Sequence, residues 1–368
     1  MIVGEHDCYL VGVGLPRHRW QLRRRGRLGH PRGREWQLGG RHGCRPSGRS
    51  ACIPRIGAET SHLEERRERR ERRLLVGYAR DVHGEDSLAL ADVLCGLMGA
   101  RPTVLRVVPV AGFLLGDDID LALEREAHDG LTFAQERLAA HDPRTRATGD
   151  SSIPRALFDE AEREGSSVIV VGSTHRGKVG RLLAGSTATA LLHGAPAAVA
   201  VAPLGYAEAE PRSVKRIGVA VDGSDESLTA LAGAIELADA AGAELAIFTA
   251  VEPTTFGYGP AIEALTAGEI ESEATEHARR VLADAVDRVP ADIPGRSHLI
   301  RGDIGQQLEE ESKHLDLLML GSRGYGPLRA TLIGSVSRHA VSSAHCPVLI
   351  TPRGVGSQPF GDPEAAAD

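Results

Sequence analysis

The sequence predicts an α/β chain of two tandem domains, each a mostly parallel open sheet with helices on both faces. Three observations carry that expectation. Short apolar runs bounded by polar residues, as buried parallel strands require, alternate with segments of helical period. A glycine ladder, Gly321-Ser322-Arg323-Gly324-Tyr325-Gly326 followed by Gly334-Ser335, recurs as Gly172-Ser173-Thr174-His175-Arg176-Gly177 followed by Gly185-Ser186. The offset is constant at 149 residues and also relates Pro352 to Pro203. Further upstream, Leu74 to Ala79 matches Ile217 to Asp222 at an offset of 143, so the copies differ by a small indel and the chain is a tandem duplication. With 368 residues, two domains of roughly 150 residues and an extension fit the size expected of single cores.

Residues 1–73 read as a disordered, Arg-rich extension. The first 60 hold 12 Arg and no Lys against 4 acids, both Trp of the chain, and no period of either strand or helix. Glu64 to Arg73 (EERRERRERR) supports i,i+4 ion pairs and a frayed helix leading into the first strand. Three readings of the extension compete: a solvated tail or translation begun upstream of the true start, a polybasic arm for nucleic acid around Arg23-Arg24-Arg25, or a metal site from His42, Cys44 and Cys52. The arm lacks Lys and a reading helix, and the three ligands lack the short-loop spacing of a zinc knuckle.

The second copy has the cleaner signals. Arg216 to Val221 reads as a strand, Ser224 and Asp225 as N-caps, and Leu228, Leu231, Ile235 and Ala238 as one face of a helix that Gly242 stops. Glu244 to Ala250 is a second strand. After a loop rich in Gly, Thr and Pro (Val251 to Gly268) come a helix over Ile270 to Val289 and a third strand over Ser297 to Arg301. Ile304 to Lys313 is a short helix, His314 to Leu320 a fourth strand, Ser335 to Ala344 a helix, and Val348 to Thr351 the fifth strand. The first copy repeats this plan over 74–203. Residues 204–215 (LGYAEAEPRSVK) form a polar linker, the second domain covers 216–353, and 354–368 is a disordered tail.

The formal net charge of -7 hides an asymmetry, because the first 60 residues carry +8 and the remainder therefore −15. An acidic body is unsuited to coating nucleic acid. Five cysteines in no pairable spacing argue against a disulfide framework and for a reducing, cytoplasmic setting. No apolar run approaches the roughly 20 residues that span a bilayer, so neither a membrane anchor nor a signal peptide is expected.

The ladder lies between a strand-like and a helix-like run, where glycines let backbone N–H groups face an anion and Ser335 can cap the next helix. A tight turn that merely joins strand to helix is the plainer alternative. Asp222 likewise serves either a ligand or an Asx turn in Asp222-Gly223-Ser224, and the two roles are compatible. His175 reads as a surface loop residue and Tyr325 as a solvent-edge residue. The chain has no Gly-x-Ser-x-Gly, no HExxH, and no Walker lysine after the ladder, although Lys178 and Arg329 lie in the loops. Binding is therefore expected rather than turnover.

The segment VAVDGSDES (Val219 to Ser227), the pattern Gly321-x2-Gly324-x9-Gly334-Ser335 and the closing CPVLITP (Cys346 to Pro352) resemble the universal stress protein family in its tandem, ATP-binding form. The resemblance covers residues 74 to 353. It implies five strands per copy in the order 3-2-1-4-5, with a crevice where strands 1 and 4 become neighbours. It also implies that Asp222 and Val251 hold the adenosine end of ATP, that Gly321, Gly324, Gly334 and Ser335 hold ribose and phosphates, and that Mg²⁺ or Mn²⁺ accompanies the triphosphate. The first copy keeps Gly172, Gly177, Gly185 and Ser186 but has Ala79 in place of Asp222 and His175 in place of Gly324; Asp81 is close enough in sequence to substitute for the acid.

The function expected is that of a nucleotide-dependent stress-response regulator working through unknown protein partners. The alternative is a slow ATPase or an adenine-nucleotide hydrolase-like enzyme. The fifth strands, Val199 to Ala202 and Val348 to Thr351, are edges that seek partners, so an intramolecular pseudo-dimer with these strands antiparallel is expected, and with it scope for a homodimer of whole chains.

Overall fold

The computed structural model describes residues 72–109, 128–173, 185–209, 213–251, 259–322 and 334–352, with backbone alone for 109 and 259–270. The chain divides into two units, residues 1–58 and 59–368, and every described residue belongs to the second. The expected tail and all but Arg72 and Arg73 of the expected extension lie outside the described residues.

In the first copy the elements are β1 (Arg73–Gly77), α1 (Val82–Met98), β2 (Arg101–Pro109), α2 (128–137), β3 (Arg144–Asp150), α3 (Ile153–Glu164), β4 (Val168–Gly172), α4 (Ser186–Leu192) and β5 (Ala198–Ala202). In the second they are β6 (Arg216–Ala220), α5 (Asp225–Ala241), β7 (Glu244–Ala250), α6 (Gly259–Val286), β8 (Gly295–Ile300), α7 (Ile304–Ser312), β9 (Leu317–Gly321), α8 (Ser335–Ser343) and β10 (Val348–Thr351). The ten strands form one sheet in the order β3-β2-β1-β4-β5-β10-β9-β6-β7-β8. Each half is thus a parallel sheet in the order 3-2-1-4-5, as the resemblance implied.

Alternation along the strands sends side chains to two cores. Leu74, Val76, Ile217 and Val219 meet α1, α2, α5 and α6 on one face. Leu75, Ile169, Leu318 and Leu320 meet α3, α4, α7 and α8 on the other. The two copies join where β5 and β10 pair antiparallel, with Leu349 opposite Ala200, the adjacency expected from the sequence. Both strands are buried along their whole length. Ala198, Ala200 and Leu349 enter the first core and Val199, Val201 and Ile350 the second, so both cores run through the junction without a break. An ion pair from Arg72 to Glu236 adds a link between the copies.

Local chemistry sets the helix ends. Ser224 caps α5 by accepting from Ser227 N, and Gly242, at φ 61°, ends it in the left-handed conformation that glycine adopts without cost. The buried face of α5 centres on Leu231, Ala234, Leu237 and Ala238, while Leu228 and Ile235 pack at its margin.

Several boundaries differ from expectation, among them Arg73, which opens β1 instead of closing the extension, and the end of α6 at Val286 instead of Val289. The fourth strand of the second copy starts at Leu317 rather than His314, because His314 closes the turn after α7 through Glu311 O and the Asp316 carboxylate accepts from Lys215 N and Arg216 N at 2.8 and 2.9 Å. Helix α6 begins at Gly259, inside the expected loop, since Pro260 falls in its first turn, where a missing N–H is harmless. The third strand begins two residues early at Gly295, where a Cβ would stand 2.8 Å from Leu245 O.

The linker is docked where it is described. Its 3-10 turn, Tyr206–Glu208, lies on α1, and the buried Asp86 carboxylate accepts from Gly205 N at 2.9 Å and Ala207 N at 2.8 Å. Cys95 and Cys346 are buried free thiols; burial pushes Cys95 up to about 12 and Cys346 higher than its ordinary value, so both stay protonated. Among the described residues no helix is long and apolar enough to cross a membrane.

Candidate functional site

In the second copy the chain leaves β6 for β7 on one side and β9 for β10 on the other, while β6 and β9 themselves pair side by side. Connections that diverge from two neighbouring strands leave an uncovered crevice at their carboxyl ends. A cleft open to solvent lies there, lined by Ala220, Val221, Asp222 and Ser227 from the first strand–helix junction, Ala250 and Ile304, Leu320 and Gly321, and Gly334 to Ser337. Four residues singled out from the sequence, Asp222, Gly321, Gly334 and Ser335, therefore share one cavity.

Each is held by a local cause. Asp222 Oδ1 accepts from Ser224 N at 2.9 Å and from Ser224 Oγ at 2.5 Å, while Ser227 Oγ accepts from Asp222 N at 3.3 Å. This is the Asx turn that the sequence allowed, made possible by Gly223 at φ 81°. It sets the carboxylate at the rim of the cleft.

Gly321 has a different physical reason from the one its loop suggests. A Cβ there would stand 2.7 Å from Ser227 N and 2.8 Å from Glu226 C, so the end of β9 needs glycine to pass under the first turn of α5. Gly172 repeats this in the first copy, where a Cβ would meet His83 O at 2.2 Å.

Ser335 does not cap α8. Gly334 is the N-cap, among the described residues no side chain caps the helix, and Ser335 is its first residue. The first turn of this helix lines the cleft, and helix N-termini with N–H groups unpaired within the helix suit an anion. Ser337, absent from the sequence reading, ties this turn to the sheet by donating its hydroxyl to Gly321 O at 2.8 Å. A serine at the third helical position carries no distinctive sequence signal. Ala220, Val221, Ile304 and Val336 were also missed, because apolar lining residues look like core.

Val251 lies at the end of β7 and donates its N–H to Ile300 O at 2.9 Å, but its neighbour Ala250 is the residue that lines the cleft. Gly324, Gly177, His175, Tyr325, Lys178 and Arg329 lie outside the described residues. In the first copy, Gly185 is the N-cap and Ser186 the first residue of α4, a helix of 7 residues. Asp81, the suggested substitute for the missing acid, is instead the N-cap of α1, accepting from His83 N at 3.1 Å and Gly84 N at 2.9 Å. Its structural counterpart is Ser224. Among the described residues no group of three His, Cys, Asp or Glu side chains could hold a metal ion.

The chain is a doubled, switch-point α/β fold with a cleft at a helix terminus of its second copy. The universal stress protein family matches the chain twice, at residues 71–203 and 213–352, and the chain belongs to that family. A universal stress protein of Mycolicibacterium smegmatis is 32% identical over 204 residues, covering 54% of this chain and 65% of the relative. One from Mycobacterium tuberculosis is 29% identical over 199 residues, covering 54% and 66%. The chain thus spans less than two thirds of the length of these curated relatives. The crystal structure of a universal stress protein from Archaeoglobus fulgidus superposes with a TM-score of 0.59 at 18% identity, over 77% of this chain and 100% of that one, a likeness of fold.

Proposed function

We propose that the second copy binds ATP in its switch-point cleft and that the chain acts as a nucleotide-dependent stress-response regulator rather than a dedicated catalyst. The observation that carries this reading is the meeting of a carboxylate and an uncapped helix terminus across one cavity: Asp222 at one wall, Gly334 and Ser335 at the other. The adenosine end would lie against Asp222 and the end of β7 at Ala250 and Val251. The phosphates would lie against Gly321, Gly334 and Ser335, where N–H groups and the helix dipole favour negative charge. Mg²⁺ or Mn²⁺ would be held by the triphosphate itself. The Asp222 carboxylate accepts two hydrogen bonds from Ser224, which fits it for positioning a ligand rather than for taking a proton. Occupancy would then alter the surface offered to protein partners.

Titration calorimetry of the full chain with ATP tests this. Asp222→Ala and Gly334→Ala should each weaken binding by about tenfold, or about 1.4 kcal/mol. Unchanged affinity in both variants would remove the site assignment. ATP recovered intact after long incubation supports a binding role, and stoichiometric release of ADP or AMP would convert the reading to that of a slow ATPase.

A further inference from the structure

The two crevices are not equivalent, and the difference is built from side chains. We propose that the first copy's crevice is filled by the protein's own Tyr78 and Arg106, so that one chain takes one nucleotide, in the second copy alone. This rests on the reading of the second cleft given above.

The ladder fixes which residues correspond. Tyr78 N donates to Leu105 O at 3.0 Å, and Val221 N donates to Phe248 O at 2.8 Å, the same bond in each copy. Tyr78 therefore stands where Val221 lines the second cleft, and the residues after the two acceptors, Arg106 and Thr249, correspond as well. Valine leaves space that a phenol ring takes up. Tyr78 is 4% exposed and belongs to the core that Leu131 and Ala134 of α2 enter. Both side chains reach the backbone of α2 at Gly130, where a Cβ would stand 2.7 Å from Arg106 Nη1 and 3.5 Å from Tyr78 Cε1. Burial pushes the phenol above its ordinary value of 10, and the neighbouring Arg106 charge pulls the other way without reversing it, so the ring is a neutral filler at working pH.

The loop that follows is also closed. In the second copy Ser227 has room for a side chain that accepts from Asp222 N and donates to Ser224 O at 2.9 Å. Its counterpart in the first copy is Gly84, where a Cβ would stand 1.7 Å from Ala79 O. Backbone occupies the place of the serine side chain. Asp81 N donates to Ala79 O at 2.9 Å and holds the loop in that collapsed form. The acid of Asp222 is thus replaced by Ala79 with its carbonyl turned inward, and a guanidinium stands on the neighbouring strand. An adenosine that needs an acceptor and an apolar slot finds a filled slot and the opposite charge.

Native mass spectrometry of the full chain with ATP gives the count. One nucleotide mass per chain is expected, and none for an Asp222→Ala/Gly334→Val chain. Hydrogen exchange on the unaltered chain gives the location without any substitution: ATP should protect residues 220–228 and 334–340 and leave 77–84 unchanged. Two nucleotides per chain, one retained by the double variant, or protection of 77–84 equal to that of 220–228 would each overturn the proposal. No nucleotide on the unaltered chain would instead refute the reading of the second cleft on which it stands.

Discussion

The first strand–helix junction of each copy shows how one fold carries two different local solutions. In the second copy Asp222-Gly223-Ser224 spends a left-handed glycine on an Asx turn, and Ser224 then caps the helix. In the first copy Ala79-Arg80-Asp81 has no such glycine, so Asp81 performs the cap and the Ala79 carbonyl folds in against Gly84. Both junctions satisfy the orphan N–H groups of the helix. Only one leaves a carboxylate at the mouth of a cleft. Helix capping constrains both junctions, whereas the acid is free to differ between them.

The junction between the copies offers the largest test of that comparison. If the two halves share one pair of cores, Leu349→Ala should cost about 3 kcal/mol, within the usual range for a fully buried leucine. It should also lower the cooperativity of unfolding, which scanning calorimetry would reveal as two transitions instead of one. A small cost with a single sharp transition would show the halves to be joined by other contacts. The shared glycines come next. Gly172→Ala places a methyl 2.2 Å from a backbone carbonyl and Gly321→Ala places one 2.7 Å from a backbone nitrogen, so the first should be the more destabilising. The expected losses are about 3 and about 2 kcal/mol in denaturant titrations. Equal, negligible effects would mean that these glycines are kept for a ligand and not for packing.

The smallest effect concerns Asp86, whose counterpart in the second copy is Thr229. Burial pushes the Asp86 carboxyl above its ordinary 3.8, against the opposing pull of the Ala207 and Gly205 N–H groups and of His83. Glu208 in the linker turn reinforces the rise. The folded state therefore binds this proton more tightly than the unfolded state does. The associated stability is fully present below about 3.8 and is lost as pH rises through the folded value. Urea unfolding of the wild type and Asp86→Asn between about pH 3.5 and 7 should show the wild type losing ground to the variant as pH rises. Parallel pH profiles would show that the linker turn rests on Tyr206 packing alone.

Periodicity and spacing made most of the fold legible. Fixed offsets of 149 and 143 residues exposed the duplication, and Gly242 and Glu244 to Ala250 marked a helix end and a strand to the residue. The same reading missed Leu317 as a strand start, because apolar content cannot tell a strand from the turn that feeds it. It also took Ser335 for a cap by its residue type, when the cap is decided by backbone angles at Gly334.

What the sequence determined by itself is local and periodic: the two copies, the order of their elements, the glycines that must stay small, and the difference of Ala79 from Asp222. Tertiary structure decided what depends on the approach of distant segments. It placed Asp222 and Gly334, more than a hundred residues apart, across one cleft, and it placed Gly321 beneath α5. It also set Tyr78 and Arg106 together against Gly130. Sequence spacing encodes hydrogen bonds and side-chain faces within an element. The volume left between elements follows only from how their backbones cross, and in this chain that volume separates the open cleft from the filled one.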